Sequence, residues 1–145
     1  MSQLKLEKFL PYRLSVATNA VSARISQSYR KRFGLKVPEW RLIAILAEHD
    51  EMTPQDIGKA GELDKIMVSR AAAALIDRGL VTQRRNPQDG RSHFLRLTED
   101  GRSLYNEVVP AALKLERELL ADFSADDRDL LDRLLRQIER AANSP

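Results

Sequence analysis

From Asp89 to Thr98 the chain reads Asp-Gly-Arg-Ser-His-Phe-Leu-Arg-Leu-Thr, preceded closely by Val81-Thr82-Gln83-Arg84-Arg85. Arg84, Arg85, Arg91, His93 and Arg96 thus crowd one short stretch with cationic or cation-forming side chains. Guanidinium groups on a flexible tip neutralise phosphates and enter a narrow minor groove, where the negative potential is deepest. The chemistry on offer is recognition of a polyanion, although an arginine at an exposed turn is also an ordinary surface feature. The reading therefore depends on what holds the tip. Val81 to Arg85 suits one strand and Phe94 to Leu97 its return, with Asn86, Pro87, Asp89 and Gly90 supplying turn chemistry. Asp89 cannot favour a phosphate, so it pairs with a nearby arginine or caps the turn. Thr98 suits the N-cap of a following helix, with Glu99 and Asp100 well placed against the helix dipole.

The stretch upstream supplies a second reading surface. Thr53-Pro54-Gln55-Asp56 is a helix start signal, predicting a short helix to about Ala60. A tight turn spans Gly61 to Leu63, and Asp64 can cap a second helix through about Arg78, closed by Gly79. Val68, Ala72, Leu75 and Ile76 form the apolar stripe of that helix, leaving Lys65, Ile66, Met67, Ser69 and Arg70 on its N-terminal outward side. Ile66 and Met67 stay ambiguous: they could touch thymine methyls in a major groove, or a slight rotation could bury one of them. Lys65, Ser69 and Arg70 are a groove-contacting cluster or a solvated face. Helix, turn, helix and a two-stranded hairpin is the order of a winged helix-turn-helix, whose second helix lies in the major groove.

In these residues the chain resembles the MarR family of transcriptional regulators. The pattern D-x-R-x5-L-T is filled by Asp89, Arg91, Leu97 and Thr98 at the wing position. Leu35 to Ala47, with Pro38-Glu39-Trp40-Arg41, resembles the family's second helix, and Leu63 to Val81 its recognition helix. The chain differs in carrying Ile66 and Met67 where the family often has small hydroxyl residues. The resemblance implies a mostly α fold with a small β-hairpin wing, a winged helix-turn-helix flanked by N- and C-terminal dimerisation helices. The whole of 1–145 would be one unit, with a DNA-binding lobe over about 37–100 and helical dimerisation regions over about 4–34 and 102–143.

Composition agrees. The chain has 145 residues, 31% charged and 43% hydrophobic, with a net charge of +3, as expected of a folded globular protein. The charge is uneven: residues 1–36 hold eight lysines and arginines against one acid, and residues 64–96 hold seven against three. Residues 37–63 and 115–145 are acidic. The absence of cysteine excludes a disulfide framework and a thiol redox switch. No apolar run has the length of a transmembrane span, and Met1 to Lys5 does not begin a signal peptide, so a cytoplasmic protein without membrane contact is expected. His49 and His93 are the two histidines; they fall on different elements without ligand-spaced partners, which argues against a metal site or a triad. His49, beside Glu48, Asp50 and Glu51, reads as a helix end. The six glycines are dispersed, with no phosphate loop. A protein that binds rather than reacts is expected, with neither cofactor nor metal.

The chain ends need another explanation. Leu10, Leu14, Ala17, Val21 and Ile25 recur at helical spacing between about Leu6 and Phe33, with Gly34 as stop. A second helical region starts near Leu104, breaks at Phe123-Ser124, and restarts with Ser124-Ala125-Asp126-Asp127 before Leu130, Leu131, Leu134, Leu135 and Ile138. A winged helix needs neither stripe for its core, so a second copy is the expected cover. The resemblance also implies a small aromatic acid or phenol bound between the dimerisation helices and the winged lobe. Tyr12, Arg13, Trp40, Arg41 and Tyr105 come from the segments expected to converge there, an arginine opposite an aromatic wall suiting an aromatic carboxylate. The bland reading makes Trp40 plain core and Arg41 a surface arginine. Three functions remain: a ligand-responsive dimeric repressor or activator on a palindromic operator, an architectural DNA-binding protein, and a winged helix used for protein contacts. The basic wing disfavours the last.

Overall fold

The computed structural model describes residues 3–145. After a 3-10 turn at Leu6–Lys8, the elements run α1 (Leu10–Phe33), α2 (Val37–Glu48), α3 (Pro54–Gly61), α4 (Lys65–Asp77), β1 (Val81–Asn86), β2 (Asp89–Leu97), α5 (Glu99–Leu119) and α6 (Ala125–Asn143). The fold is mostly helical with one two-stranded hairpin, as expected from the sequence. Two compact units divide the chain, one running to Val108 and one from Val109 to the C-terminus. Among the described residues no helix is long and apolar enough to cross a membrane.

In the first unit α2, α3 and α4 pack on one another, with the hairpin against α2, α3 and α4. Leu35, Leu42, Ile43, Leu46, Ile57, Leu75, Leu95 and Val108 are fully buried. Each such side chain contributes about 1.5–3 kcal/mol on leaving water. The α4 stripe buries Val68, Ala72 and Leu75 as expected, with Ala71 beside them, whereas Ile76 is only half-buried.

Local chemistry fixes the boundaries. The Thr53 hydroxyl accepts from Asp56 N–H at 3.2 Å, and Asp64 Oδ1 accepts from Met67 N–H at 2.8 Å. Each therefore satisfies an amide donor that its helix start leaves unpaired. Gly79, in left-handed backbone at φ 74°, turns the chain out of α4 into β1. Thr98 Oγ1 accepts from Gly101 N–H at 3.0 Å and donates to Gly79 O at 2.7 Å. The threonine thus caps α5 and ties its start to the end of α4.

Three boundaries differ from expectation. The first long helix begins at Leu10 rather than Leu6, because Phe9 is extended and Pro11, which lacks an N–H, occupies the first turn. The hairpin turn is confined to Pro87-Gln88, and β2 begins at Asp89 rather than Phe94. Asn86 Oδ1 accepts from Gln88 N–H at 2.9 Å, closing the turn early. Third, Met52 pairs with Leu95 through two backbone hydrogen bonds of 3.1 and 2.8 Å, so the α2–α3 loop adds an edge to β2.

In the second unit Ser124 and Asp127 form a reciprocal capping box that restarts the helix as α6. Leu130, Leu131, Leu134, Leu135 and Ile138 stay exposed on it in the single chain. Leu10, Leu14 and Val21 of α1 are likewise exposed.

Candidate nucleic-acid interface

The candidate surface is assembled from α4 and the hairpin. The Asp64 cap starts α4 so that Lys65, Ile66, Met67, Ser69 and Arg70 all fall on its exposed side. Ile66 is 63% exposed and Met67 41%, which resolves the ambiguity: neither is core. Leu63, Val68, Ala71 and Ala72 supply the buried side instead. Glu62, which makes the turn between α3 and α4, holds left-handed backbone at φ 54°.

At the hairpin tip Asp89 Oδ1 accepts from Arg91 N–H at 3.0 Å. Asp89 therefore caps the turn through the backbone and leaves the Arg91 side chain exposed. Asn86 pairs with Asp89 while Arg85 pairs with His93, so Gly90, Arg91 and Ser92 bulge out of the ladder. Side chains alternate across the strands. Gln83 and Arg85 accordingly share a face with their partners Leu95 and His93. That face looks onto α4, because Gln83, His93 and Leu95 line a groove of about 620 Å³ with Lys65, Ser69 and Ala73.

A second cleft, of about 640 Å³, runs between α3, the start of α4 and the bulge. Thr53, Gln55, Lys59, Lys65, Arg91 and His93 are among its walls. Lys59, Gln55 and Gln83 were missed by sequence reasoning. Lys59 and Gln55 lie on a helix read there only as the partner of α4, and Gln83 is an unremarkable strand residue until its register is known. Among the described residues the charged groups of Lys59, Lys65, Arg70, Arg85 and Arg91 have no ion-pair or hydrogen-bond partner. An arrangement of unpaired cations around two grooves suits a charged backbone, and the exposed apolar and hydroxyl groups of α4 between them suit base edges.

Arg84, expected among the DNA contacts, is otherwise engaged. Its Nε donates to Glu51 Oε2 at 2.9 Å and its Nη2 to Oε1 of the same carboxylate, while the guanidinium lies 4.7 Å from the centre of the Phe94 ring. The pairing follows from register, since Arg84 stands opposite Phe94 on the face away from α4. The guanidinium hydrogen bonds hold the Glu51 carboxyl below its ordinary range.

The expected ligand residues are only partly brought together. Trp40 and Tyr105 stack at 5.9 Å between ring centroids, and Tyr29 meets Trp40 edge-on at 5.5 Å. Tyr29 was missed; it is 3% exposed, and burial raises the pKa of its phenol. Tyr12 and Arg13 are exposed near the opposite end of the same helix. They lie about 25 Å along its axis from Tyr29, at ~1.5 Å per residue. Of the five expected ligand residues, the structure therefore shows direct contact between Trp40 and Tyr105. Arg41 is exposed, and its Nη1 donates to Gly61 O at 3.3 Å.

Residues 33–92 match the MarR family. The chain is 33% identical over 104 residues to the uncharacterized HTH-type transcriptional regulator YwoH of Bacillus subtilis, covering 72% of this chain and 75% of that protein. It is 27% identical over 114 residues to the homoprotocatechuate degradative operon repressor of Escherichia coli, covering 79% of this chain and 77% of the relative. A MarR/EmrR family transcriptional regulator from Acinetobacter sp. ADP1 has the same fold, with a TM-score of 0.87 at 26% identity over 97% of this chain and 99% of that one. With the cationic tip, the helix-turn-helix and the hairpin in one unit, and relatives of this closeness, the chain belongs to the MarR family of transcriptional regulators.

Proposed function

We propose that this regulator acts as a homodimeric repressor that binds a palindromic operator in double-stranded DNA and is released by a small aromatic acid or phenol. The observation that carries the DNA reading is the set of unpaired cations on α3, α4 and the wing, framing an exposed α4 surface of Ile66, Met67, Ser69 and Arg70. Lys65, Ser69 and Arg70 would enter the major groove with Ile66 and Met67 against thymine methyls, while Arg85, Arg91 and His93 approach the backbone or minor groove. Repression is supported by the name of the Escherichia coli relative. Selection of bound duplexes from a random pool, followed by footprinting, tests the reading. A short protected palindrome with half-sites about 10 bp apart is expected. Uniform coating without preference would favour an architectural protein instead.

Arg91 gives the sharpest single-residue test of the wing. Arg91→Ala is expected to change folding stability by no more than about 0.5 kcal/mol, as an exposed substitution does. Salt titrations should nevertheless show a slope of log K against log salt shallower by about 1.8 for a dimer, from ~0.9 per lost phosphate contact. An unchanged slope in a folded dimer would remove the wing from the interface.

For the effector, Trp40 and Tyr105 form the aromatic wall, with Arg41 close in sequence to it. Tyr12 and Arg13 would join from the N-terminal half of α1, of the same protomer or of a second copy across the two-fold axis. Homoprotocatechuate, in the relative's name, is itself an aromatic carboxylate, which supports this ligand class. An aromatic acid should quench the fluorescence of Trp40, the single tryptophan, and weaken operator binding about 5–150-fold. Alanine at the anchoring arginine, Arg13 or Arg41, should leave operator affinity near wild type and remove that response. Full induction in both variants would refute the anchor.

A further inference from the structure

We propose that Glu51 withholds Arg84 from the DNA backbone and thereby limits sequence-independent binding, an inference that rests on the reading of the wing as a DNA-contacting element. Arg84 and Arg85 are neighbours of identical chemistry in β1, and strand alternation sends them to opposite faces. Arg85 stands opposite His93, beside the groove along α4, and its guanidinium has no partner among the described residues. Arg84 is instead fixed on three counts. Two of its N–H groups reach the two oxygens of Glu51, the Phe94 ring lies 4.7 Å from its guanidinium, and the partner supplies a full compensating charge.

The acid is also delivered by fixed backbone. Glu51 precedes Met52, whose N–H and C=O both bond Leu95 of β2, so the loop carrying the carboxylate is registered against the wing. Arg96 stands on the same face of β2 as Phe94, and its charge together with that of Arg84 favours the ionised carboxylate. The Arg84 side chain is still half exposed. If it lost its carboxylate it would add to the exposed cations of the wing, Arg85, Arg91 and Arg96.

Phosphate contacts position a protein on DNA but carry no base information. A further free cation would therefore tighten binding to every duplex alike and lower the ratio of operator to bulk affinity that decides occupancy. Neutralised by Glu51, Arg84 stiffens the root of the wing without adding to that background.

The test is a mutant cycle in the full chain: wild type, Glu51→Gln, Arg84→Gln and the double variant, each titrated on the selected operator and on a scrambled duplex at several salt concentrations. Arg84→Gln alone should leave the salt slope unchanged. Glu51→Gln should steepen it by about 1.8 for a dimer, which costs the variant roughly twelvefold more affinity than wild type between ~50 and ~200 mM salt. Its preference for operator over scrambled duplex should fall. The double variant should return to the wild-type slope, because the gain requires Arg84. A shallower slope in Arg84→Gln would overturn the inference, since Arg84 would then already touch DNA. Equal weakening of both single variants with unchanged slopes would overturn it in favour of a purely structural pair. A wild type that binds neither duplex would instead overturn the DNA reading itself.

Discussion

Replacing Leu131 and Leu135 together by aspartate is expected to turn the proposed dimer into a monomer and to cut operator affinity by roughly 10²–10⁴, the advantage lost when two linked half-site contacts become one. The two residues are one turn apart on α6 and belong to a stripe with Leu130, Leu134 and Ile138, all between 37% and 47% exposed in the single chain. Such a stripe beside a polar opposite face, where Arg136 pairs with Asp132 at 3.0 Å, needs an apolar cover. Carboxylates placed in the covered seam would lose hydration without gaining a partner. Because the Ser124 and Asp127 capping box is untouched, α6 itself should persist. Sedimentation gives the mass and titration the affinity. A double variant that remains dimeric with wild-type operator binding would take the C-terminal helix out of the assembly.

Gly101→Ala is expected to be the most destabilising single-methyl change in the DNA-binding unit. A Cβ there would sit 2.1 Å from Leu80 O and 3.1 Å from Leu97 Cδ2. The nearer obstacle is backbone, at the start of β1, so no rotamer change relieves it. Accommodation requires α5 to back away from the hairpin, which would strain the Thr98 bonds to Gly79 O and to Gly101 N–H. The cost should fall at the upper end of overpacking penalties, about 3 kcal/mol. Urea denaturation of the variant checks it, and a loss below ~0.5 kcal/mol would mean that the close approach is not maintained in solution.

Features governed by near neighbours were legible in the sequence. Thr53, Asp64, Thr98 and Ser124 each cap a helix through an amide three residues on, and that short reach is what a residue type at a boundary encodes. On α4 the helical period set Lys65, Ser69 and Arg70 outward, whereas Ile66 and Met67 stayed ambiguous until their exposure was known. What the sequence could not disclose depends on separations too long for any local pattern. Glu51 and Arg84 are 33 positions apart, and Arg84 looked like another wing cation until strand register placed it opposite Phe94. The Met52–Leu95 bridge is a single residue pair and leaves no periodic trace. Tyr29 hid within the polar run Ser28 to Lys31, and its burial becomes visible only once Trp40 is seen against it. For the ligand residues, chemical suitability alone could not say that Tyr12 and Arg13 lie near the opposite end of α1 from Tyr29, which the length of that helix decides.

The hairpin also has a colloidal consequence. With Met52 on one side of β2 and β1 on the other, the outer edge of β1 is the free edge of the small sheet among the described residues. An unpaired edge invites a neighbouring molecule to add its own strand, and natural proteins discourage this with charge and irregular register. Here Thr82, Gln83, Arg84 and Arg85 make that strand hydrophilic, with Arg84 held by Glu51 and Arg85 an unpaired cation, and the ladder breaks at Arg85/Asn86. A second such wing would meet like charge against like charge in a frame that cannot stay in step. The polar and charged side chains of β1, Arg84 among them although it is held by Glu51, thereby disfavour cross-β association in a crowded solution of the protein.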